Sequence, residues 1–275
     1  MQEFRTIEVS SPKFENDFLR YITVKSKNLK GRGDICVFVP TEVKNIENCP
    51  LVILLHGVYG SAWSWTLSGG VHIHVLEMIR KKLIPPMVIA MPSDGLWGDG
   101  SAYLPHNNIN FEKWIAEDVP KAVKSIVPSI TDQSRIFIGG LSMGGFGALK
   151  IGVKYNKIFS AISAHSSLTN VSQMKDFVEE DIQNYLQEDK TEEDIFLTIL
   201  KNKDQLPAIS FDCGFSDTLI EHNRLLHAQL TEQNIAHDYE EYQGGHEWPY
   251  WEEHVIDSIL FFARHIKRQD QLTCA

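Results

Sequence analysis

Cysteine is scarce and scattered in this 275-residue chain: Cys36, Cys49, Cys213 and Cys274 form no C-x-x-C pair and no Cys/His spacing suited to zinc. They read as reduced thiols, which excludes a disulfide scaffold. No apolar run reaches the length of a membrane span, and the opening MQEFRTIEVSS lacks the basic flank and apolar core of an export signal. A cytoplasmic protein with no membrane partner is therefore expected. Positive charge is in deficit, with 26 Lys and Arg against 36 Asp and Glu and a formal charge of −10. No basic stripe offers a nucleic-acid footprint. No Walker lysine follows the glycines near Ser142 and no G-x-G-x-x-G links a strand to a helix, so no phosphate cofactor is indicated. His246-Glu247 opens like a zincin helix, but Tyr250 stands four after His246 and Pro249 intervenes. His72 and His74, two apart, point in different directions on a helix. No metal and no cofactor are expected. Whether the chain forms a homo-oligomer is not legible in the sequence.

What is present is an ordinary globular composition, 43% hydrophobic and 23% charged. Apolar β-type runs occur at Tyr21–Val24, Ile35–Val39, Leu51–Leu55, Met87–Met91, Ile136–Ile138, Phe159–Ser163, Ala208–Phe211 and Asp238–Tyr242. Several are continuous rather than alternating, as strands buried on both faces should be. Helical patterns fall at His72–Lys82, Phe111–Val127, Gly145–Lys154, Thr218–Gln233 and Pro249–Ile266. Their alternation from Leu51 onward predicts an α/β fold, a mostly parallel sheet of about eight strands with helices on both faces. The first two strands are antiparallel, joined through Lys30-Gly31-Arg32-Gly33-Asp34, where the two glycines should supply positive φ. The final helix carries Trp251, Val255, Ser258, Ile259 and Phe262 on one face, with Pro249 in its first turn. Residues 166–206 are longer than an ordinary connection and include the acidic stretch Glu179–Asp194, which reads as a solvated face or loop. With no repeat or linker elsewhere, residues 1–275 are expected to form one domain with a helical insertion at about 166–206.

The chemistry-bearing motif is Gly140-Leu141-Ser142-Met143-Gly144. A G-x-S-x-G match alone is common by chance, but the strand Arg135–Gly139 enters this one and the helical Gly145–Lys150 leaves it. That is the strand–turn–helix context of a nucleophile elbow in the α/β-hydrolase fold. Gly140 and Gly144 provide room where a Cβ would collide with neighbouring backbone. A serine hydroxyl needs a base to take its proton and an acid to orient that base, in the chain order Ser, acid, His. Asp217 follows the strand run Ile209–Gly214; its structural alternative is a helix N-cap, and Asp212 is a rival acid inside the strand. For the base, His246 sits in a glycine-bearing loop between the last strand and last helix, whereas His222, His227, His254 and His265 fall in helices. Oxyanion donors are expected from the backbone N–H groups of Met143 and Val58. His56 reads as a structural strand-end histidine.

The segments LLHGVYGSAWSW, MPSDGLWGDGSAY, GGLSMGGFGALK, FDCGFSDTLIEHNRLL and GGHEWPYWEEH together resemble the Putative esterase (esterase-D-like) family of α/β-hydrolases, from about Leu51 to the last helix. The chain looks most like its tributyrin- and feruloyl-type branch, in which a strand ending in Cys-Gly precedes the acid and a Gly-x-His-x-Trp-x-x-Trp pattern carries the base. The resemblance implies the same roles for Asp217 and His246. It also implies that Gly57, Val58, the Trp63/Trp65 segment and Ser93–Trp97 border the acyl site. Leu141 stands where formylglutathione hydrolases of the family carry His, which disfavours that substrate.

The function expected from these residues is that of a serine carboxylesterase acting on short-chain acyl or aromatic esters, of the acetyl or feruloyl kind, through an acyl-enzyme. Its substrate is a small-molecule ester, bound by Gly57 and by an aromatic cleft of Trp63, Trp65, Trp97 and Trp248. Two other readings stand beside it. One passes the acyl group to a sugar or thiol acceptor; the other is a non-catalytic module that holds a carbohydrate or aryl ligand in that cleft.

Overall fold

All eight apolar runs form strands in a computed structural model that describes residues 4–273, with side chains described for 4–266. The strands are β1 (Ile7–Val9), β2 (Leu19–Lys25), β3 (Arg32–Phe38), β4 (Leu51–Leu55), β5 (Val88–Pro92), a small hairpin β6 (Pro105–His106) and β7 (Ile109–Asn110), then β8 (Ile136–Leu141), β9 (Phe159–His165), β10 (Ala208–Gly214) and β11 (Asp238–Tyr242). The helices are α1 (Ser64–Leu67), α2 (Val71–Arg80), α3 (Phe111–Lys113), α4 (Val119–Ile126), α5 (Met143–Lys154), α6 (Ile195–Lys201), α7 (Ile220–Glu232) and α8 (Trp248–Thr273). The main sheet has nine strands in the order β1-β2-β3-β5-β4-β8-β9-β10-β11. Pairing is antiparallel from β1 to β5 and parallel from there on.

β4 shows why these runs are apolar throughout. Leu51, Ile53 and Leu55 enter one core, with side chains of α4, α5 and α7, while Val52 and Leu54 enter the other, with side chains of α2 and α8. Each face of the strand is buried, so alternation in the sequence would have cost burial on one side. The final helix lays the expected stripe on the second core: Trp251, Val255, Ser258, Ile259 and Phe262 are all buried.

Three details depart from the sequence expectations. The ninth strand, β1, is a three-residue edge strand of mixed exposure, too short to carry a pattern. The turn before β3 takes its positive φ at Lys30 (52°), not at either glycine. Gly33 instead lies within β3, where an added Cβ would meet the Trp114 ring at 2.5 Å. The segment 111–127 is not one regular helix: between α3 and α4, Trp114–Asp118 widen into a π turn. Pro120, in the first turn of α4, has no N–H to give the carbonyl four residues back.

Residues 166–206 contain three 3₁₀ turns and α6. Their acidic stretch is held to the rest of the chain at several points: Glu180 accepts the Asp99 N–H (3.0 Å), buried Tyr185 donates to the Gly100 carbonyl (2.9 Å), and Glu192 meets Lys150 and Lys154 of α5, each at 2.6 Å, while Lys150 and Lys154 also bind Glu112. Cys36, Cys49 and Cys213 are free and buried; Cys274 lies outside the described residues. Burial pushes the Cys36 thiol up to about 11 and that of Cys49 up to about 12, which leaves both unreactive. Among the described residues no helix is long and apolar enough to cross a membrane.

Candidate active site

The turn from β8 into α5 holds Ser142 at φ 54°, ψ −120°, a conformation that an L-residue adopts only under constraint. The constraint is backbone contact. A Cβ on Gly144 would lie 2.4 Å from the Leu55 carbonyl oxygen, and one on Gly140 2.3 Å from that of Gly144, so the elbow nests directly on the end of β4. The Ser142 N–H donates to the His165 carbonyl (2.9 Å), which ties the elbow to β9.

Asp217 and His246 come together because the chain after β10 and the chain after β11 touch through glycine. An added Cβ on Gly214 would stand 2.4 Å from the Gly244 carbonyl oxygen, and that oxygen accepts the N–H of Ser216 at 2.9 Å. Gly244, at φ 132°, then turns His246 back over the sheet end. The outcome is a continuous hydrogen-bonded chain: His246 Nε2 lies 2.9 Å from Ser142 Oγ, and His246 Nδ1 lies 3.0 and 3.1 Å from the Asp217 carboxylate oxygens. Asp217 also accepts the N–H of Leu219 at 2.8 Å, within the turn before α7; the N-cap of that helix is Leu219, which has no side-chain cap bond, so Asp217 is not the helix cap that the sequence offered as its alternative. Burial alone would push its carboxyl up. The His246 hydrogen bond and charge, the Leu219 N–H and the Ser166 hydroxyl outweigh it and hold the carboxyl below its ordinary range. The rival acid is engaged elsewhere: Asp212 accepts from Tyr250 Oη (2.7 Å) and faces His165 Nδ1 (2.7 Å).

His56 is structural, and its partners fix its tautomer. Nε2 accepts the Asp94 N–H (3.0 Å), so Nδ1 carries the proton and donates to the Gly57 carbonyl (2.7 Å), which also takes the Gly60 N–H (3.1 Å). In a trans peptide the N–H opposes the C=O. Holding the Gly57 carbonyl therefore turns the Val58 N–H the other way. Met143 is the first residue of α5, where N–H groups lack intrahelical acceptors.

These groups open on a cleft of about 300 Å³ lined by Gly57, Val58, Tyr59, Trp63, Phe177 and Trp248 beside Ser142 and His246. Trp65 and the Ser93–Trp97 segment, both expected to border the site, are absent from its wall. Trp65 is buried in the core with its indole N–H on the Leu55 carbonyl (3.0 Å), and its ring backs Trp248 edge-on. Trp97 packs on His106 and Tyr185 instead of lining the cleft, and Ser93 and Asp94 are buried behind His56. Phe177, Tyr59 and Trp251 are lining residues that the sequence reading did not single out for this role. Trp251 occupies the last position of the Gly-x-His-x-Trp-x-x-Trp pattern, which was the available signal; Phe177, delivered by the 166–206 segment to within 5.3 Å of the His246 ring, had none.

The family model described as "Putative esterase" matches residues 26–262. The chain belongs to this esterase family. A curated relative of the esterase, an acetyl esterase of Caldicellulosiruptor saccharolyticus, is 29% identical over 269 residues, covering 88% of this chain and 97% of that one. Among solved structures, a ferulic acid esterase superposes on the esterase with a TM-score of 0.78 at 22% identity, over 95% of this chain and 99% of the other. An S-formylglutathione hydrolase from Staphylococcus aureus gives 0.77 at 18% identity, over 93% and 99%. The esterase thus has the α/β-hydrolase fold, and its substrates are small-molecule esters.

Proposed function

We propose that the protein is a serine carboxylesterase that cleaves esters of short or aromatic acyl groups through an acyl-enzyme on Ser142. The observation that carries this reading is the unbroken chain from Ser142 Oγ through His246 to Asp217, at 2.9 and 3.0 Å, beside an open cleft. Ser142 Oγ attacks the ester carbonyl as its proton passes to His246 Nε2. The tetrahedral adduct collapses, and the departing alcohol takes that proton. Water then repeats the sequence on the acyl-enzyme: it gives its proton to His246, attacks the acyl carbon, and the proton returns to Ser142 as the acid leaves. Asp217, kept ionised, holds the Nδ1 proton of His246 and stabilises the imidazolium. The amides of Val58 and Met143 receive the oxyanion, each donor contributing about 3 kcal/mol in such sites.

Cleft size and lining support the acyl range. A volume of about 300 Å³ walled by Trp63, Phe177 and Trp248 suits an acetyl-sized group or one planar ring. The likeness to an acetyl esterase points the same way. Turnover of p-nitrophenyl acetate, butyrate and decanoate and of methyl ferulate by wild type and Ser142→Ala tests the reading. Activity on the acetate or ferulate that disappears in Ser142→Ala is expected; equal rates for the two proteins would refute it.

A further inference from the structure

Two walls of the cleft come from segments far apart in the chain. Tyr59 lies in the loop after β4, Phe177 ends the 3₁₀ turn Val171–Asp176 of the 166–206 segment, and both line the cleft beside Ser142 and His246. Tyr59 is 68% exposed and stands at φ 58°, a left-handed conformation that favours glycine. What joins the two walls is Asp99. Its carbonyl accepts the Tyr59 N–H (2.9 Å) and its Oδ2 accepts the Tyr59 hydroxyl (3.0 Å). The same Oδ2 accepts the backbone N–H of Glu179, two residues past Phe177, at 2.7 Å. In return the Asp99 N–H donates to Glu180 Oε1 at 3.0 Å. The flanking glycines make this fit possible. Gly98 stands at φ 54°, and a Cβ there would meet that Glu180 oxygen at 2.2 Å. A Cβ on Gly100 would meet Met143 Sδ at 2.6 Å and Val58 Cγ2 at 3.6 Å. Gly98-Asp99-Gly100 thus touches the 166–206 segment on one side and, on the other, the two residues whose amides are proposed to receive the oxyanion.

We propose that Asp99 is a positioning residue that holds Tyr59 and Phe177 at a fixed separation and thereby limits the size of the ester that the cleft admits. Both donors converge on one carboxylate oxygen, so the phenol of one wall and the backbone of the other cannot part without breaking a charge-assisted hydrogen bond. A ring as exposed as Tyr59 has little packing to fix it, which leaves the bond to Asp99 to hold it across the mouth. Asp99 forms no hydrogen bond with Ser142, His246 or Asp217, which hold one another directly. Removing its carboxylate frees both walls and leaves the acid–base chain in place. Larger esters then enter more easily, while the chemical step on the smallest one is little changed.

This inference rests on the serine esterase reading above, and one set of measurements separates the two. Active sites of wild type, Asp99→Ala, Asp99→Asn and Tyr59→Phe are counted with a fluorophosphonate, which normalises for folded protein. If wild type neither labels nor cleaves any ester, the serine reading fails and this one falls with it. If wild type labels and turns over, kcat and KM are measured for p-nitrophenyl acetate, butyrate and decanoate, which vary the acyl part, and for ethyl and benzyl acetate, which vary the alcohol part. Asp99→Ala is expected to raise kcat/KM of the largest member over the smallest by about fivefold in at least one series, through KM, with kcat for p-nitrophenyl acetate within about threefold of wild type. Asp99→Asn retains an oxygen that can accept both donors, so it should restore the wild-type ratios. Tyr59→Phe loses one of the two bonds and should move the same ratio by less. A purely structural role would lower the urea midpoint of Asp99→Ala and leave the ratios where they were. Ratios unmoved in Asp99→Ala, or moved as far in Asp99→Asn, would overturn the proposal. Should Asp99→Ala fail to fold, the ratios in Tyr59→Phe decide alone.

Discussion

Among the described residues two Ser–His–Asp chains are hydrogen-bonded end to end. The first is Ser142–His246–Asp217. In the second, Ser258 Oγ lies 2.7 Å from His165 Nε2, and His165 Nδ1 lies 2.7 Å from Asp212, which faces it across the β9–β10 pair. The second chain has the shorter contacts, so hydrogen-bond distance does not distinguish a reactive serine. Three other properties do. Ser142 sits at a strained elbow beside a cleft, whereas Ser258 lies mid-helix in α8, lines no cleft of this kind, and has its hydroxyl shared with Ser163 at 2.6 Å. Ser142 stands before a helix N-terminus with Val58 opposite, while Ser258 is enclosed by α8 and the sheet. The His246 side chain is 19% exposed, whereas that of His165 is 2% exposed between Ser258 and Asp212, and Asp212 is closed off by Tyr250. The same three residue types border an open cleft in one place and are sealed between helix and sheet in the other.

The sharpest way to break that contrast is to label with a fluorophosphonate and then remove each serine. Ser142→Ala is expected to abolish labelling and lower kcat by about 10⁴-fold or more, and Ser258→Ala to leave kcat per folded molecule within about threefold. Labelling that survives Ser142→Ala and vanishes with Ser258→Ala would invert the assignment. The two acids should separate in a different currency. Asp217→Asn is expected to lower kcat by about 10³ to 10⁴-fold, because an amide can favour the wrong histidine tautomer. Asp212→Asn should instead destabilise the fold by about 2–4 kcal/mol, since His165 and Tyr250 lose a buried charged partner. Urea midpoints set beside kcat would show the crossing, and an Asp212→Asn enzyme with normal stability and no activity would contradict it.

The sequence alone could not reveal the second chain, and the reason is physical. Its members lie 47 and 93 residues from one another, and only the register that sets Asp212 against His165 brings them together. By contrast the elbow is local: strand, glycines, serine and helix are contiguous, so Ser142 could be read from one stretch. Asp217 and His246 could be read because each follows the end of a strand with a glycine turn. Strands buried on both faces, such as β4, left an unmistakable apolar run, while β1, a three-residue edge, left none. Trp65 and Trp97 were expected in the cleft because an aromatic near a motif looks the same whether it points in or out. The acceptor waiting for the Trp65 indole N–H is a tertiary fact.

The pH dependence of stability offers a smaller test of the open chain. The Asp217 carboxyl is lowered in the folded state, so the stability it contributes is fully present above its unfolded value, about 3.9. It is lost as pH falls through the folded value. Urea midpoints for wild type and Asp217→Asn should therefore differ most at pH 5 to 7 and converge as the medium is taken below about pH 4. A gap that stays constant down to pH 2 would mean that the carboxylate charge is not what holds this corner together.

The smallest expected effect concerns the wall of the cleft beside Ser142. Trp63 is 46% exposed at the cleft mouth, while Trp65, two residues later, is 1% exposed and tied to Leu55. An exposed ring contributes little to folding, so Trp63→Ala should leave the unfolding midpoint within about 0.5 kcal/mol of wild type. Its contribution appears only when a substrate ring stacks on it, a contact of about 0.5–1.5 kcal/mol. KM for methyl ferulate should therefore rise about twofold to tenfold, with kcat unchanged because that contact is the same in ground and transition states. An acetyl group is too small to reach the ring, so KM for p-nitrophenyl acetate sets the baseline: its leaving group is aromatic, and a matching rise there would assign Trp63 to the alcohol side of the ester rather than the acyl side. Unchanged KM for both substrates would place the ring outside the path of either.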